Sequence, residues 1–248
     1  MKIKSHQHIS RLHRPDRLIT LLEILLVLSP TYVSMVLGYQ LGGDNISLHG
    51  NLILLGGPFI YLGMILSLVI FWMAARPRGI SWRGVGLSRP PSWIHIGLSG
   101  VGLSMVMIPI IVTLQELLTS VIPDVVPPDM SCFAVLHESL PNLVLNVIAI
   151  WITAGFIEEL IWRGYLINRL TDILGKTKLG LLAALFCSAV LFGIAHFYLG
   201  LSGILLTGVT GLLFGIAFLV LKRNLWPLVI THGLINTLSY VNMYQNGV

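Results

Sequence analysis

Charge is the scarcest commodity in this chain. Only 10% of its 248 residues are Asp, Glu, Lys or Arg, against about 25% in a soluble globular domain. Hydrophobic residues make up 55%, and the mean hydropathy is +0.87. Such a chain cannot clothe a soluble surface, which excludes a water-soluble helical bundle. Cysteine is nearly absent: Cys132 and Cys187 are the two present, too few for a thiol metal site or a disulfide scaffold. Aspartate is missing from the centre of every apolar run, which excludes a two-aspartate intramembrane protease. Gly97-Leu98-Ser99 has no fitting histidine for a serine mechanism, and no His-Glu-x-x-His motif marks a helical zinc site. Repeats, low-complexity tracts and extramembrane domains are also lacking. The formal charge of +5 is explained by its location, so nucleic acid is not an expected partner.

Long apolar runs are what the chain has. About 20 such residues cross a bilayer, and backbone satisfaction in lipid demands helices when the runs are continuous rather than alternating. The expected fold is an all-α, polytopic transmembrane helix bundle. Spans are predicted at 18–41, 52–75, 94–122, 142–167, 179–199, 203–221 and 225–243, seven in all, with an eighth broken or re-entrant segment left open. Residues 1–17 form a basic leader, and 18–248 form one membrane domain, with N-terminal helices over 18–122 and a core over 140–243. With seven spans, all fifteen Lys and Arg fall on one side. That charge bias predicts a cytoplasmic N-terminus and an outer C-terminus. The loop from Arg76 to Trp93 reads as an interfacial segment on anionic headgroups. Gly38-x-x-x-Gly42 and Gly211-x-x-x-Gly215 allow close helix approach.

Three polar clusters interrupt the apolar second half: Glu158-Glu159 with Arg163, Phe192 with His196, and His232 with Asn236. A charged side chain at membrane depth costs about 2.5–3.5 kcal/mol on insertion scales, so these groups must be partnered or functional. On a helix Glu159 and Arg163 share a face, whereas Glu158 points elsewhere. The pair is either a structural ion network or the support of a working Glu158. A lone intramembrane histidine such as His196 is more often a packed or helix-bonding residue than a functional one. His232 and Asn236 share a face, and two donors aimed at one point suit an oxyanion; the alternative is an interhelical bond. A third chemistry is zinc held by Glu158, His196 and His232, with a nearby Arg163 opposing the cation. Glu23 and Glu116 have no assigned role.

Glu158-Glu159-x-x-x-Arg163, Phe192-x-x-x-His196 and His232-x-x-x-Asn236, in this order on separate spans, resemble the three motifs of the CPBP family. These are the CAAX proteases and bacteriocin-processing enzymes, also called the Abi family. The resemblance covers residues 140–243 and implies an intramembrane endopeptidase. In such enzymes Glu158 and His196 would activate water, His232 and Asn236 would hold the oxyanion, and Glu159 and Arg163 would order the site. No cofactor is implied, since the family is generally described as metal-independent. The expected partners are a peptide or lipidated-protein substrate and an anionic bilayer. The expected location is the plasma membrane, with the site opening to the cytoplasm. The alternative is a non-catalytic protein of the same fold, such as a bacteriocin self-immunity or scaffold protein. One geometric tension stands out. Straight spans put Glu158 in the cytoplasmic half of its helix and His196 roughly 25 Å from the cytoplasmic end of the next, at 1.5 Å per residue.

Overall fold

A computed structural model describes residues 17–40, 45–48, 52–55, 57–122 and 126–248. Most of the basic leader, Gly42 of the first small-residue motif, Asp44 and Asp124 lie outside the described residues.

The described residues form eight α-helices: α1 (Arg17–Gln40), α2 (Gly57–Ala75), α3 (Trp93–Val121), α4 (Leu140–Ile150), α5 (Ile167–Leu174), α6 (Lys178–Ile194), α7 (Gly200–Val220) and α8 (Trp226–Asn246). A π-helical segment, Trp151–Leu166, joins α4 to α5 without a break. Among the described residues, five helical stretches are long and apolar enough to cross a membrane: Arg17–Gly38, Phe59–Arg78, Trp93–Val121, Leu140–Leu174 and Phe197–Val220. Lys178–Ile194 is apolar but shorter. Large apolar side chains face outward on these helices, among them Ile94, Met105, Leu179 and Val220. A contiguous apolar exterior of this kind is what lipid covers in an integral membrane protein.

Three expected boundaries move. The second span does not begin at residue 52. Strands β1 (Asn45–Leu48) and β2 (Leu52–Leu55) pair there as a short antiparallel hairpin, so α2 starts at Gly57 within a bundle that is otherwise helical. The fourth span does not stop at residue 167 but runs from Leu140 to Leu174, where Gly175 takes a φ of 107° that ends the helix. The fifth is shorter than expected and ends at Ile194.

Helix ends follow local chemistry. The Ser92 hydroxyl accepts from the His95 amide, and the Thr177 hydroxyl accepts from the Gly180 amide, capping α3 and α6. Pro141 and Pro227 occupy first turns, where no amide donor is needed. Packing between helices uses small residues and hydroxyls, as lipid-embedded helices do. Thr31 on α1 bonds Ser67 on α2 at 2.8 Å. The second small-residue motif fits that expectation: a Cβ at Gly211 would meet the Phe192 ring at 2.8 Å, and one at Gly215 would meet Leu185 at 2.9 Å.

The two ends of the bundle differ in charge. One end gathers the start of α1 and the α2–α3, α5–α6 and α7–α8 connections, which hold most of the described Lys and Arg. It is tied by Leu225 N–H donating to the Gly86 carbonyl (3.0 Å) and Trp226 Nε1–H donating to the Ser88 carbonyl (3.1 Å). Buried there, the Glu23 carboxylate meets Arg78 and Arg169 Nε (3.3 Å) and accepts from the Tyr165 hydroxyl (3.0 Å). The loop after α2 is therefore partly docked on protein, with Val85 buried and Trp82 stacked on Trp72. The opposite end gathers the hairpin, the α3–α4 and α6–α7 connections and the C-terminus, and carries Asp129 and Glu138.

The α6–α7 contact is a close glycine crossing, since a Cβ at Gly193 would lie 2.5 Å from the Ile204 carbonyl oxygen. Gly193→Ala should cost about 1–3 kcal/mol by overpacking, read as a lower melting temperature in detergent. Gly97→Ala, whose Cβ meets nothing within 4 Å, should leave it unchanged.

Candidate active site

Each polar cluster occupies its own element. Glu158, Glu159 and Arg163 lie on the π-helical segment, His196 follows the end of α6, and His232 and Asn236 lie on α8. A cavity of about 350 Å³ runs between these elements. Glu158, Arg163, His196, His232 and Asn236 all line it.

Glu159 stands behind the cavity wall, with no exposure to solvent. Its Oε1 accepts from Arg163 Nη1 at 2.9 Å and from His232 Nδ1 at 2.8 Å. One carboxylate oxygen thus joins the first motif to the third. The Arg163 guanidinium, equally buried, stacks between two rings, 4.5 Å from the Phe192 centroid and 5.1 Å from that of Phe214. Guanidinium over aromatic faces is a favourable contact, and more so when water is excluded. Phe192, the first residue of the second motif, is a lid on Arg163 as well as a neighbour of His196 (4.8 Å between ring centroids).

The close crossing of α8 and the π-helical segment depends on glycine. A Cβ at Gly233 would strike the Trp151 ring at 2.7 Å. Trp151 Nε1–H donates across the same crossing to the Thr237 hydroxyl at 3.0 Å. With Gly233 at the contact, the preceding His232 reaches Glu159.

The ring tautomers follow from their acceptors. A carboxylate without a proton can only accept, so His232 Nδ1 carries the hydrogen and Nε2 is turned away from Glu159. His196 Nδ1 lies 2.9 Å from the Phe192 carbonyl oxygen, which also only accepts. Here the helix end matters. The His196 amide bonds to the Gly193 carbonyl rather than to Phe192, leaving the Phe192 carbonyl without its usual i+4 amide. The imidazole of His196 satisfies it. In the neutral ring His196 Nε2 is then a lone-pair acceptor.

The predicted depth mismatch disappears for a physical reason. Because the helical run continues to Leu174, Glu158 lies about sixteen residues from the basic end, near the middle of the run and not in its end-proximal half. His196 lies about eighteen residues from the start of α6. The two helices are antiparallel neighbours, and the Ser188 hydroxyl donating to the Trp162 carbonyl (3.3 Å) fixes their register. Equal counts from a shared turn put the two side chains level.

Sequence reasoning missed three components. Phe214, the second ring over Arg163, sits in an apolar helix with nothing to distinguish it. Tyr61, Tyr198 and Tyr240 bring phenols to the cavity from three elements; no spacing links them. Glu23 stood out only as an acid in or near the membrane without a role, because its partners Arg78 and Arg169 lie far away in sequence. As for zinc, no group of three His, Cys, Asp or Glu side chains stands close enough to hold a metal among the described residues.

The family model described as Type II CAAX prenyl endopeptidase Rce1-like matches residues 140–238, a range that includes all three clusters. No curated protein and no solved structure matches the chain. The match spans less than half of the 248 residues and is consistent with the CAAX-protease resemblance of the three motifs.

Proposed function

We propose that the protein is an intramembrane endopeptidase that hydrolyses a peptide bond with a glutamate-activated water. The observation that carries this reading is the meeting of three motifs around one cavity, with a carboxylate and two differently supported imidazoles on its wall.

The geometry supports the following roles. Glu158 is the wall carboxylate outside the Glu159–Arg163 pair, so it can take a proton from water. His196 Nε2, an acceptor while its Nδ1–H is held by the Phe192 carbonyl, fixes that water beside Glu158. Attack on the scissile carbonyl places negative charge on its oxygen. Asn236 Nδ2–H and a protonated His232 Nε2–H are the donors for that charge. Glu159 orients the His232 ring and stabilises the imidazolium that carries Nε2–H throughout the reaction, while the water's proton passes only through Glu158. Glu158 then returns its proton to the departing amine. Oxyanion donors held in a water-poor cavity cost no reorganisation when the charge appears. No step requires a metal. The substrate is a peptide segment of a membrane-associated or lipidated protein, and the chain resides in the cell membrane with its basic end in the cytoplasm.

Glu158→Gln should lower kcat for peptide cleavage by about 10²–10⁴-fold, with the melting temperature unchanged; full peptidase activity in a folded Glu158→Gln protein would overturn the glutamate-activated water. Asn236→Ala should reduce kcat about 10²–10³-fold with little change in KM, measured on a quenched-fluorescence peptide. Arg163→Ala leaves Glu159 buried beside a histidine alone. It should destabilise the fold by about 3–5 kcal/mol, seen as a lower melting temperature with or without substrate.

A further inference from the structure

The cavity wall extends from Arg163, Phe214 and His232, within the bundle, toward one of its ends. Tyr61 lies in the first turns of α2, Gln115 near the end of α3, Met130 and Cys132 before α4, Tyr198 between α6 and α7, and Tyr240 near the end of α8. These are the elements of the end that carries Asp129 and Glu138. No residue from the basic connections 76–92, 175–177 or 221–225 lines the cavity.

Between the cavity and the basic end stands a closed layer. Arg163 is 2% exposed, Phe214 2%, Tyr165 1%, and Leu166, Phe218 and Leu225 0%. Beyond that layer the Glu23 network and the docked 76–92 loop tie α1, α5 and the α7–α8 turn together. A route through this end would uncover the Glu159–Arg163 pair and separate its two stacking rings. The opposite end needs no such disruption, because the cavity already reaches the α3–α4 and α6–α7 connections.

Lys and Arg mark the cytoplasmic side of a membrane protein. We infer that the site is served from the non-cytoplasmic face, and that its substrates are peptide segments exported across the membrane or anchored in its outer leaflet. This rests on the peptidase reading and reverses the expectation of a cytoplasmic opening. Peptides confined to the cytoplasm would meet the closed layer. The wall facing an entering chain is apolar with three phenols, which suits an extended apolar segment held by hydrogen bonds to its backbone.

Cys132 makes the side testable, because Cys187→Ser leaves it as the one thiol in the chain. Two reporters complement it in a chain lacking both native cysteines: Ser131→Cys, exposed beside the cavity mouth, and Ser81→Cys, exposed in the basic α2–α3 connection. Each would be treated with a membrane-impermeant maleimide in intact cells and in inverted membrane vesicles. Cys132 and Ser131→Cys should label in intact cells, and Ser81→Cys only in inverted vesicles. A bulky maleimide on Cys132 should also lower cleavage of an externally added peptide at least tenfold. Labelling of Ser131→Cys only in inverted vesicles would overturn the inference, as would external labelling of Cys132 with cleavage unchanged. Unlabelled protein that cleaves no peptide would count against the peptidase reading alone, since the labelling pattern would still decide the side.

Discussion

One carboxylate oxygen holds this site together. Glu159 Oε1 receives both Arg163 and His232, and the groups around it lie where they do because of that double contact. Arg163, held there, becomes the cation between Phe192 and Phe214, and those rings join α6 and α7 to the π-helical segment. His232, held there, fixes its tautomer and the face that α8 presents, which carries Asn236 into the cavity one turn further on. A buried ion pair is a weak source of stability because desolvation offsets most of its Coulomb energy. Its value here is geometric: it sets the angle of an imidazole and the register between α8 and the segment that carries Glu158.

A second buried acid repeats the device for another purpose. Glu23 on α1 draws Arg78, Arg169 and Tyr165 together, but no cavity-lining group is among them. It ties the basic connections to the bundle. The two networks share the Leu140–Leu174 run, which carries Arg163 and Arg169 about six residues apart. One helix thus anchors both the site and the closure of the end behind it.

The sequence made the local part of this architecture legible and hid the remote part. Glu159–Arg163 and His232–Asn236 are four apart, and helical periodicity alone puts each pair on one face. The helix positions follow from apolar length, so most ends came within a few residues. The exceptions have physical causes. The stretch after residue 167 contains Asn168, Arg169 and Asp172, which hydropathy reads as leaving the membrane, yet the helix continues because those groups pair with Glu23, Asp172 and Arg223. That single misreading produced the apparent gap in depth between Glu158 and His196. The hairpin at 45–55 was hidden because an apolar strand and the start of an apolar helix have the same composition. Phe214, Tyr61 and Glu23 depend on contacts between distant segments, which no periodicity encodes.

The end of α6 has a meaning beyond packing. A helix usually stops where its sequence can no longer be satisfied, and the carbonyls left over are handed to solvent or to a cap. Here the Phe192 carbonyl is handed to the imidazole of His196, four residues on, and the ring is turned by accepting that duty. Were α6 to run one turn further, the His196 amide would take the carbonyl and the ring would be released to either tautomer. Helix length therefore acts here as a protonation control: where the backbone stops winding decides which nitrogen of His196 holds a hydrogen.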